Sequence, residues 1–524
     1  MARAFDRNLG MDAIPRAIFT GVCALGVAVA LLSSLIEPRF FAFYGDANSR
    51  LVGARLITDS ISPGLHWLGT VWLPLPALLF APFARVDFLF ASGLAGAVVC
   101  LPLLAWSAVM LYRLAAELTA SPGAGLFAAV FYALNPNMLY ISMTAMTETI
   151  ALFFMIAAVY NAWAHMRDLR PQRGVRRLAL AALSTAAATL CRYEAWPFAC
   201  IVFLALVWDA VRRRMGAKDT VRSAALAVAC FLGIALWLVW NHTRFGDALA
   251  FHRAEYYSAA WQAKHRPVRG QYYLQAWNVL SIYVATLFAA VGVAPLLVSV
   301  FGALRLARCR PRAATVFLFS AFLTPPAFTI LSLYLGVAEM TRWWNSRYVL
   351  LLMPLLALSA AFAAEAAGKR ITQPLLRVIL ILLLLASAVV QFARQAGNVV
   401  TVADAAGGFY YRQTPYAVAV GEFLGAHDKG GRILAVTGTG QSHRIMQTSG
   451  IRLARFTTAL NRDTLFRNPE VLSRAFTWVI VGREASPDGA EIARYWIEHD
   501  STLATYYRRA YSNAFYIVYE RLQR

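Results

Sequence analysis

A chain of 524 residues that is 59% hydrophobic and only 15% charged, with a mean hydropathy of +0.54, is too apolar for a water-soluble globule and reads as a polytopic α-helical membrane protein. Its net charge of +22 does not indicate a nucleic-acid binder, because the basic residues fall in short clusters between apolar runs and not on one surface. The six cysteines, Cys23, Cys100, Cys191, Cys200, Cys230 and Cys309, all lie in or beside apolar runs, so neither a disulfide framework nor a zinc spacing is suggested.

Crossing the hydrocarbon as a helix takes about 20 residues. Eleven runs qualify, at 17–35, 89–112, 123–141, 147–166, 177–193, 195–211, 223–241, 279–303, 314–335, 348–366 and 375–392. The first follows arginines and has no small-residue cleavage site before Pro38, so it reads as an uncleaved anchor. The fifth and sixth divide one run, Leu178 to Trp208, at Arg192-Tyr193-Glu194 and Pro197, since an arginine and a glutamate at mid-bilayer would each cost several kcal/mol. With a cytoplasmic N-terminus the inner segments hold RDLRPQRGVRR, RRRMGAKDTVR and RLARCRPR. The first outer loop, 36–88, balances Glu37, Asp46, Asp59 and Asp87 against Arg39, Arg50, Arg55 and Arg85. An odd number of spans then places the C-terminus outside. The expected domains are a transmembrane module over 1–392 and a soluble periplasmic α/β domain over 393–524.

The first loop carries Asp46-Ala47-Asn48-Ser49-Arg50, and apolar residues from Ser49 to Ile57 suit an amphipathic helix in the membrane interface. Asp46 near its start is either an N-cap or a fixed catalytic carboxylate, and the two roles are compatible. Glu148 begins an apolar helix, where a carboxylate is favourable to the helix dipole. Arg192 and Glu194 interrupt an apolar hairpin and must face a polar cavity or each other. Arg342 and Arg347 flank Trp343-Trp344 as interface anchors or as site residues. The loop from His242 to Asn278 mixes His242, Asp247, His252, Glu255, His265 and Arg269 with aromatic residues, but its histidines have no compact ligand spacing. No internal repeat is present.

Beyond Arg394 the pattern becomes that of a soluble domain. Arg432–Thr437, Phe476–Gly482 and Ala514–Glu520 read as strands, and the stretches around Tyr416–His427 and Glu491–His499 as helices. Thr437-Gly438-Thr439-Gly440 lacks a third glycine and a Walker lysine, so a strand-to-helix turn is favoured over a phosphate loop. Carboxylates and guanidiniums gathered on the outer side of a membrane, beside an interface helix and an aromatic loop, suit an enzyme acting on a lipid phosphate.

This order of parts resembles the GT-C glycosyltransferases, and in outline the protein O-mannosyltransferases and the lipid A aminoarabinose transferase. The resemblance covers about 390 residues of membrane part and rests on a first helix, an outer loop beginning with an acid, a second acid at the next outer turn, further helices and a soluble outer domain. It implies inverting transfer of a sugar from a polyprenyl-phosphate donor to a hydroxyl of a lipid, glycan or protein. Asp46 maps onto the catalytic base and Glu148 onto the second acid. The Arg192-Tyr193-Glu194-x-Trp196 turn and Arg347-Tyr348 map near the donor. The chain departs from the family in having Asp46-Ala47 where relatives often have Asp-Glu, and Val71-Trp72-Leu73-Pro74-Leu75-Pro76 without the lysine that precedes a Pro-Pro-Leu run. Phosphate binding would then fall to Arg55, Arg192, Arg342 and Arg347, with Asn48, Tyr193, Glu194, Trp72, His252 and Tyr348 lining the donor and acceptor pocket. A lone acid at the first site, Asp46-Ala47 in place of Asp-Glu, speaks against a tightly held divalent metal, and no cofactor is implied. The alanine- and arginine-rich composition without outer cysteines points to a bacterial inner membrane. A lipid or solute transporter and a non-catalytic cell-envelope scaffold are the alternative readings.

Overall fold

The computed structural model describes residues 13–69, 71–167, 171–213, 217–253, 269–310, 312–341, 344–370, 373, 399–410, 413–458, 469–483 and 490–522. The main helices are α1 (Ala13–Ile36), α2 (Gly45–Leu56), α3 (Pro74–Ala84), α4 (Asp87–Ser92), α5 (Ala95–Thr119), α6 (Pro122–Ala133), α7 (Pro136–Ile141), α8 (Glu148–Arg167), α9 (Pro171–Thr189) and α10 (Ala195–Arg212). They continue with α11 (Ala217–Val228), α12 (Leu232–Phe245), α13 (Ala276–Val291), α14 (Val293–Cys309), α15 (Arg312–Tyr334), α16 (Met353–Arg370), α17 (Val400–Phe409), α18 (Thr414–Ala426), α19 (Thr439–Ser449) and α20 (Ala490–Glu498). The chain divides into two compact units. The first comprises 1–33, 69–76 and 98–404, and the second 34–68, 77–97 and 405–524.

Among the described residues, seven helices are long and apolar enough to cross a membrane, or eight if the bent pair α13 and α14 is one span. The chain is thus a polytopic α-helical membrane protein, with fewer spans in the described residues than the eleven runs suggested. The run 123–141 is two short helices broken at Asn135-Pro136, where Asn135 Oδ1 accepts the backbone N–H groups of Asn137 and Met138 and caps α7. The run 177–193 begins earlier, as α9, and its arginine-bearing first turns dilute its hydropathy. The run 279–303 is bent by 106° at Gly292, whose φ of 93° is open to glycine without strain. The run 375–392 lies outside the described residues.

The first unit is packed through small residues, as expected where lipid leaves little hydrophobic drive between helices. Gly302 of α14 lies so close to Ser359 of α16 that a Cβ there would fall on the Ser359 carbonyl. Ser299 Oγ also donates to the Leu356 carbonyl at 3.1 Å. Gly125 of α6 meets the backbone of α5 in the same way, since a Cβ there would stand 2.6 Å from the Tyr112 carbonyl oxygen. By contrast, α1 exposes Leu31, Leu32, Leu35 and Ile36, a surface suited to lipid.

The second unit contains a five-stranded sheet of order β2-β1-β3-β5-β4, with β1 at Ile433–Val436, β2 at Phe456–Thr458, β3 at Trp478–Gly482, β4 at Tyr507–Ser512 and β5 at Tyr516–Arg521. β1 pairs in parallel with β2 and β3, with Ile433 opposite Trp478. β5 runs antiparallel to β3 and β4. The three central strands coincide with the apolar runs, and Leu434, Val436, Val479, Val481, Ile517 and Tyr519 pack with Trp496 of α20 in its core. The two edge strands, of sequence FTT and YRRAYS, lack an apolar run because edges gain little from one. The Gly438 segment is a strand-to-helix turn that leads into α19.

Candidate functional site

Within the first unit, three chain breaks place charged side chains together. Glu148 is the first residue of α8 and is fully buried. Arg192 and Glu194 sit in the turn between α9 and α10, where the backbone is held by Leu75 N–H donating to the Leu190 carbonyl at 3.2 Å. Arg347 and Tyr348 lie in the 3-10 segment Ser346–Leu352 that precedes α16, just after Asn345, whose φ is 56°. Arg192 Nη1 donates to Glu148 Oε1 at 2.7 Å and to Thr147 Oγ1 at 3.1 Å, while Nη2 and Nε donate to the two Glu194 oxygens at 2.6 and 3.3 Å. Arg347 Nε donates to the same Glu148 Oε1 at 3.0 Å. The Tyr348 ring faces both guanidiniums, each 5.4 Å from its centroid.

Asp404 of α17 completes the group and was not singled out in the sequence. Its Oδ2 lies 3.6 Å from Arg347 Nη1 and accepts from the backbone N–H and the hydroxyl of Ser346, both at 3.1 Å. The start of α17 is anchored by Asn137, whose Oδ1 accepts from the N–H and hydroxyl of Thr401 at 3.0 Å. The one signal for Asp404 was a single acid in an otherwise apolar stretch, VTVADAAGGF. Three carboxylates and two guanidiniums are thereby gathered with little exposure, where desolvation is costly for each unless paired, the kind of arrangement that marks a candidate functional site.

Tyr193 extends this site with an aromatic wall. Its hydroxyl donates to the Val71 carbonyl at 2.8 Å and accepts from Trp237 Nε1 at 3.2 Å. Its ring stacks on Phe251, 5.2 Å away at 20°. His252 follows Phe251 but is exposed, as is Trp72 beside Val71. Arg342 lies outside the described residues, as do Glu255 and His265.

The first-loop candidates belong to the second unit. The expected interface helix is α2, which begins four residues before Ser49, at Gly45. Tyr44 occupies the cap position, so Asp46 stands in the first turn, half-buried, and is not the N-cap. Asn48 is buried and its side-chain amide donates to Gln447 of α19. Arg55 is committed to two acids, with Nε donating to Asp59 at 3.0 Å and Nη2 paired with Asp87 at 2.7 Å. Asp59 also accepts the backbone N–H groups of Leu453 and Ala454 at 3.1 and 3.2 Å. Burial would raise the Asp59 carboxyl, but the Arg55 guanidinium and the two N–H donors outweigh it and hold it below the usual range.

Residues 88–249, which include Glu148, Arg192 and Glu194, match the family model described as dolichyl-phosphate-mannose-protein mannosyltransferase. Two solved structures are similar over nearly all of both chains. The crystal structure of ArnT from Cupriavidus metallidurans bound to undecaprenyl phosphate has a TM-score of 0.53 at 13% identity, covering 96% of this chain and 98% of that one. The same protein in the apo state gives 0.55 at 12%, with the same coverage. An oligosaccharyltransferase from Archaeoglobus fulgidus aligns with a TM-score of 0.49 at 13% identity, over 95% of this chain and 73% of that one. Comparison by sequence with curated proteins gives no match. At such identities the likeness establishes the fold, and it is the one the order of parts led us to expect.

Proposed function

We propose that this chain, an integral membrane protein with the fold of the GT-C glycosyltransferases, moves a sugar from a polyprenyl-phosphate donor to an extracytoplasmic hydroxyl with inversion at the anomeric carbon. The observation that carries the reading is the group in which buried Glu148, Asp404 and Arg347 join half-buried Arg192 and Glu194, two of whose acids fall in the family-matched stretch. In this mechanism Asp46 takes the proton from the acceptor hydroxyl as its oxygen attacks the anomeric carbon. The bond from that carbon to the phosphate oxygen breaks on the opposite face and polyprenyl phosphate leaves. General-base assistance contributes about 10² to 10⁴ in rate.

Guanidiniums stabilise the departing phosphate electrostatically. The group holds one more acid than base, so it orients carboxylates as much as it receives an anion. Glu148, with two guanidiniums on Oε1, fits an orienting role better than proton abstraction. Arg192 and Arg347, which share Glu148, supply the donor-phosphate cations, with Arg342 and Arg55 as further candidates. We place the protein in a bacterial inner membrane with a cytoplasmic N-terminus and a periplasmic sheet domain.

Transport finds little support. The bent pair α13 and α14 is the broken span among the described residues, and it has no carboxylate or guanidinium before Arg305. Asp46→Asn tests the assignment. Transfer from a labelled polyprenyl-phosphate sugar should be abolished with expression and fold intact, and near-normal turnover would refute Asp46 as the base.

A further inference from the structure

Among the described residues, α19 of the sheet domain buries a cation whose hydrogen bonds all go to neutral oxygens. Arg444 is 3% exposed. Its Nη1 donates to the Ala42 carbonyl at 2.7 Å and to Gln447 Oε1 at 3.2 Å, and its Nη2 to the Phe43 carbonyl at 3.4 Å. The guanidinium also lies over the Phe409 ring, 5.0 Å from its centroid, and Phe409 stacks on Phe43 at 4.5 Å. One turn along α19, Gln447 is equally buried. Its oxygen accepts from Arg444 and from the Asn48 side chain, and its nitrogen donates to the Phe90 carbonyl at 2.8 Å.

A single helix therefore grips the first loop on both sides of residue 46, through the carbonyls of residues 42 and 43 and the side chain of residue 48. Gly93 supports the same segment from the other direction. It has a φ of 81°, and a Cβ there would stand 2.7 Å from the Phe41 carbonyl carbon.

For fold stability alone this is an expensive arrangement. A buried cation satisfied by carbonyl and amide dipoles is generally costlier than a well-packed apolar side chain of similar volume. What it supplies is geometry. The planar fork can hold two successive carbonyls at once and so fix the backbone that enters α2. Burial, aided by the Arg39 charge, pulls the guanidinium down to about 9, and it remains a cation at neutral pH.

We infer that Arg444 and Gln447 are positioning residues for Asp46, and that the sheet domain serves the reaction by fixing the backbone and helix that present this carboxylate. The inference rests on the reading of Asp46 as the base. It gives the domain a catalytic purpose that does not require it to touch donor or acceptor. A misplacement of about 1 Å is enough to cost roughly 10²-fold in rate.

The test compares Arg444→Met, Arg444→Lys and Gln447→Leu with Asp46→Asn in the full chain. Fold is followed by thermal unfolding, local order by hydrogen exchange over residues 42–50, and donor-side affinity by binding of undecaprenyl phosphate. Turnover uses the polyprenyl-phosphate sugar that the wild-type chain transfers. Arg444→Met and Gln447→Leu should each lower kcat about 10- to 100-fold with undecaprenyl phosphate affinity unchanged and faster exchange in 42–50. Arg444→Lys, which can hold one carbonyl, should recover part of the loss. A folded Arg444→Met or Gln447→Leu protein with wild-type kcat would overturn the inference, and so would a kcat loss without faster exchange in that segment. Either variant suffices if the other does not accumulate. A fully active Asp46→Asn protein would instead remove the base assignment beneath it, so the two failures are distinguishable.

Discussion

Arg192→Lys keeps a positive charge at the centre of the buried group and removes only the fork. In the wild-type protein the guanidinium spans from Glu148 and Thr147 on one side to both oxygens of Glu194 on the other, through four hydrogen bonds of 2.6 to 3.3 Å. An ammonium is a single point on a flexible stem and reaches one side or the other. Whichever side is released loses two hydrogen bonds, so the loss is at least that of one charge-assisted hydrogen bond to a buried partner, roughly 1.5–3 kcal/mol. Arg192→Met, which fills similar volume without charge, leaves the fully buried Glu148 with one guanidinium fewer, and breaking a buried pair in this way costs about 3–5 kcal/mol. Both are measured by thermal unfolding in detergent at one scan rate, because irreversible unfolding makes the midpoint depend on that rate. Undecaprenyl phosphate binding is measured on the same preparations. The expected order of stability is wild type, Arg192→Lys, Arg192→Met, with phosphate affinity falling in the same order. Two variants within about 0.5 kcal/mol of wild type, the level of an ordinary surface substitution, would refute the idea that Arg192 clamps the two acids.

Two further outcomes follow from other parts of the fold. Gly302→Ala should destabilise the membrane unit by about 1–3 kcal/mol through overpacking of α14 on the Ser359 backbone. Gly368→Ala, in open space on α16, should be neutral or slightly stabilising in the same melting assay. For pH, burial pushes the His443 imidazole down to about 4, against an ordinary value near 6.5. The folded state therefore binds fewer protons than the unfolded one between those values. The contribution of His443 is complete above about pH 6.5 and is lost as pH falls towards 4, amounting to no more than about 3 kcal/mol. Asp59, held low by Arg55 and two N–H donors despite its burial, adds a loss in the same direction at still lower pH. Denaturant unfolding of His443→Gln followed by tryptophan fluorescence should lose the dependence between pH 6.5 and 4, and an unchanged slope would remove His443 as its source.

Much of the membrane part was legible in the sequence because lipid enforces long apolar runs. The discrepancies arise where that rule stops discriminating. An apolar run was taken as one helix across Asn135-Pro136, although asparagine before proline is a cap signal that hydropathy ignores. The three central strands were visible as apolar blocks, whereas β2 and β4, at the sheet edges, carry polar sequences. Glu148, Arg192, Glu194 and Arg347 could be found because each charge is out of place in its surroundings, and the structure brings these four together. Asp404 lies beyond Arg394, in the stretch assigned to the soluble domain, where a single acid is not out of place. Arg444 meets the first loop across some 400 residues of chain, a pairing that no local spacing records. Of the acids on Arg55, Asp59 stands four residues on, a spacing the sequence displays, whereas Asp87 is brought to it from the far end of the loop.

The most direct measurement follows two labels at once, with the purified chain in liposomes and a panel of polyprenyl-phosphate sugars that carry tritium in the sugar and phosphorus-32 in the phosphate. Transfer by attack at the anomeric carbon moves tritium to a hydroxyl acceptor while phosphorus-32 stays on the lipid, and Asp46→Asn stops it. Phosphorus-32 that travels with the sugar, or both labels crossing the bilayer on intact donor, would contradict the account.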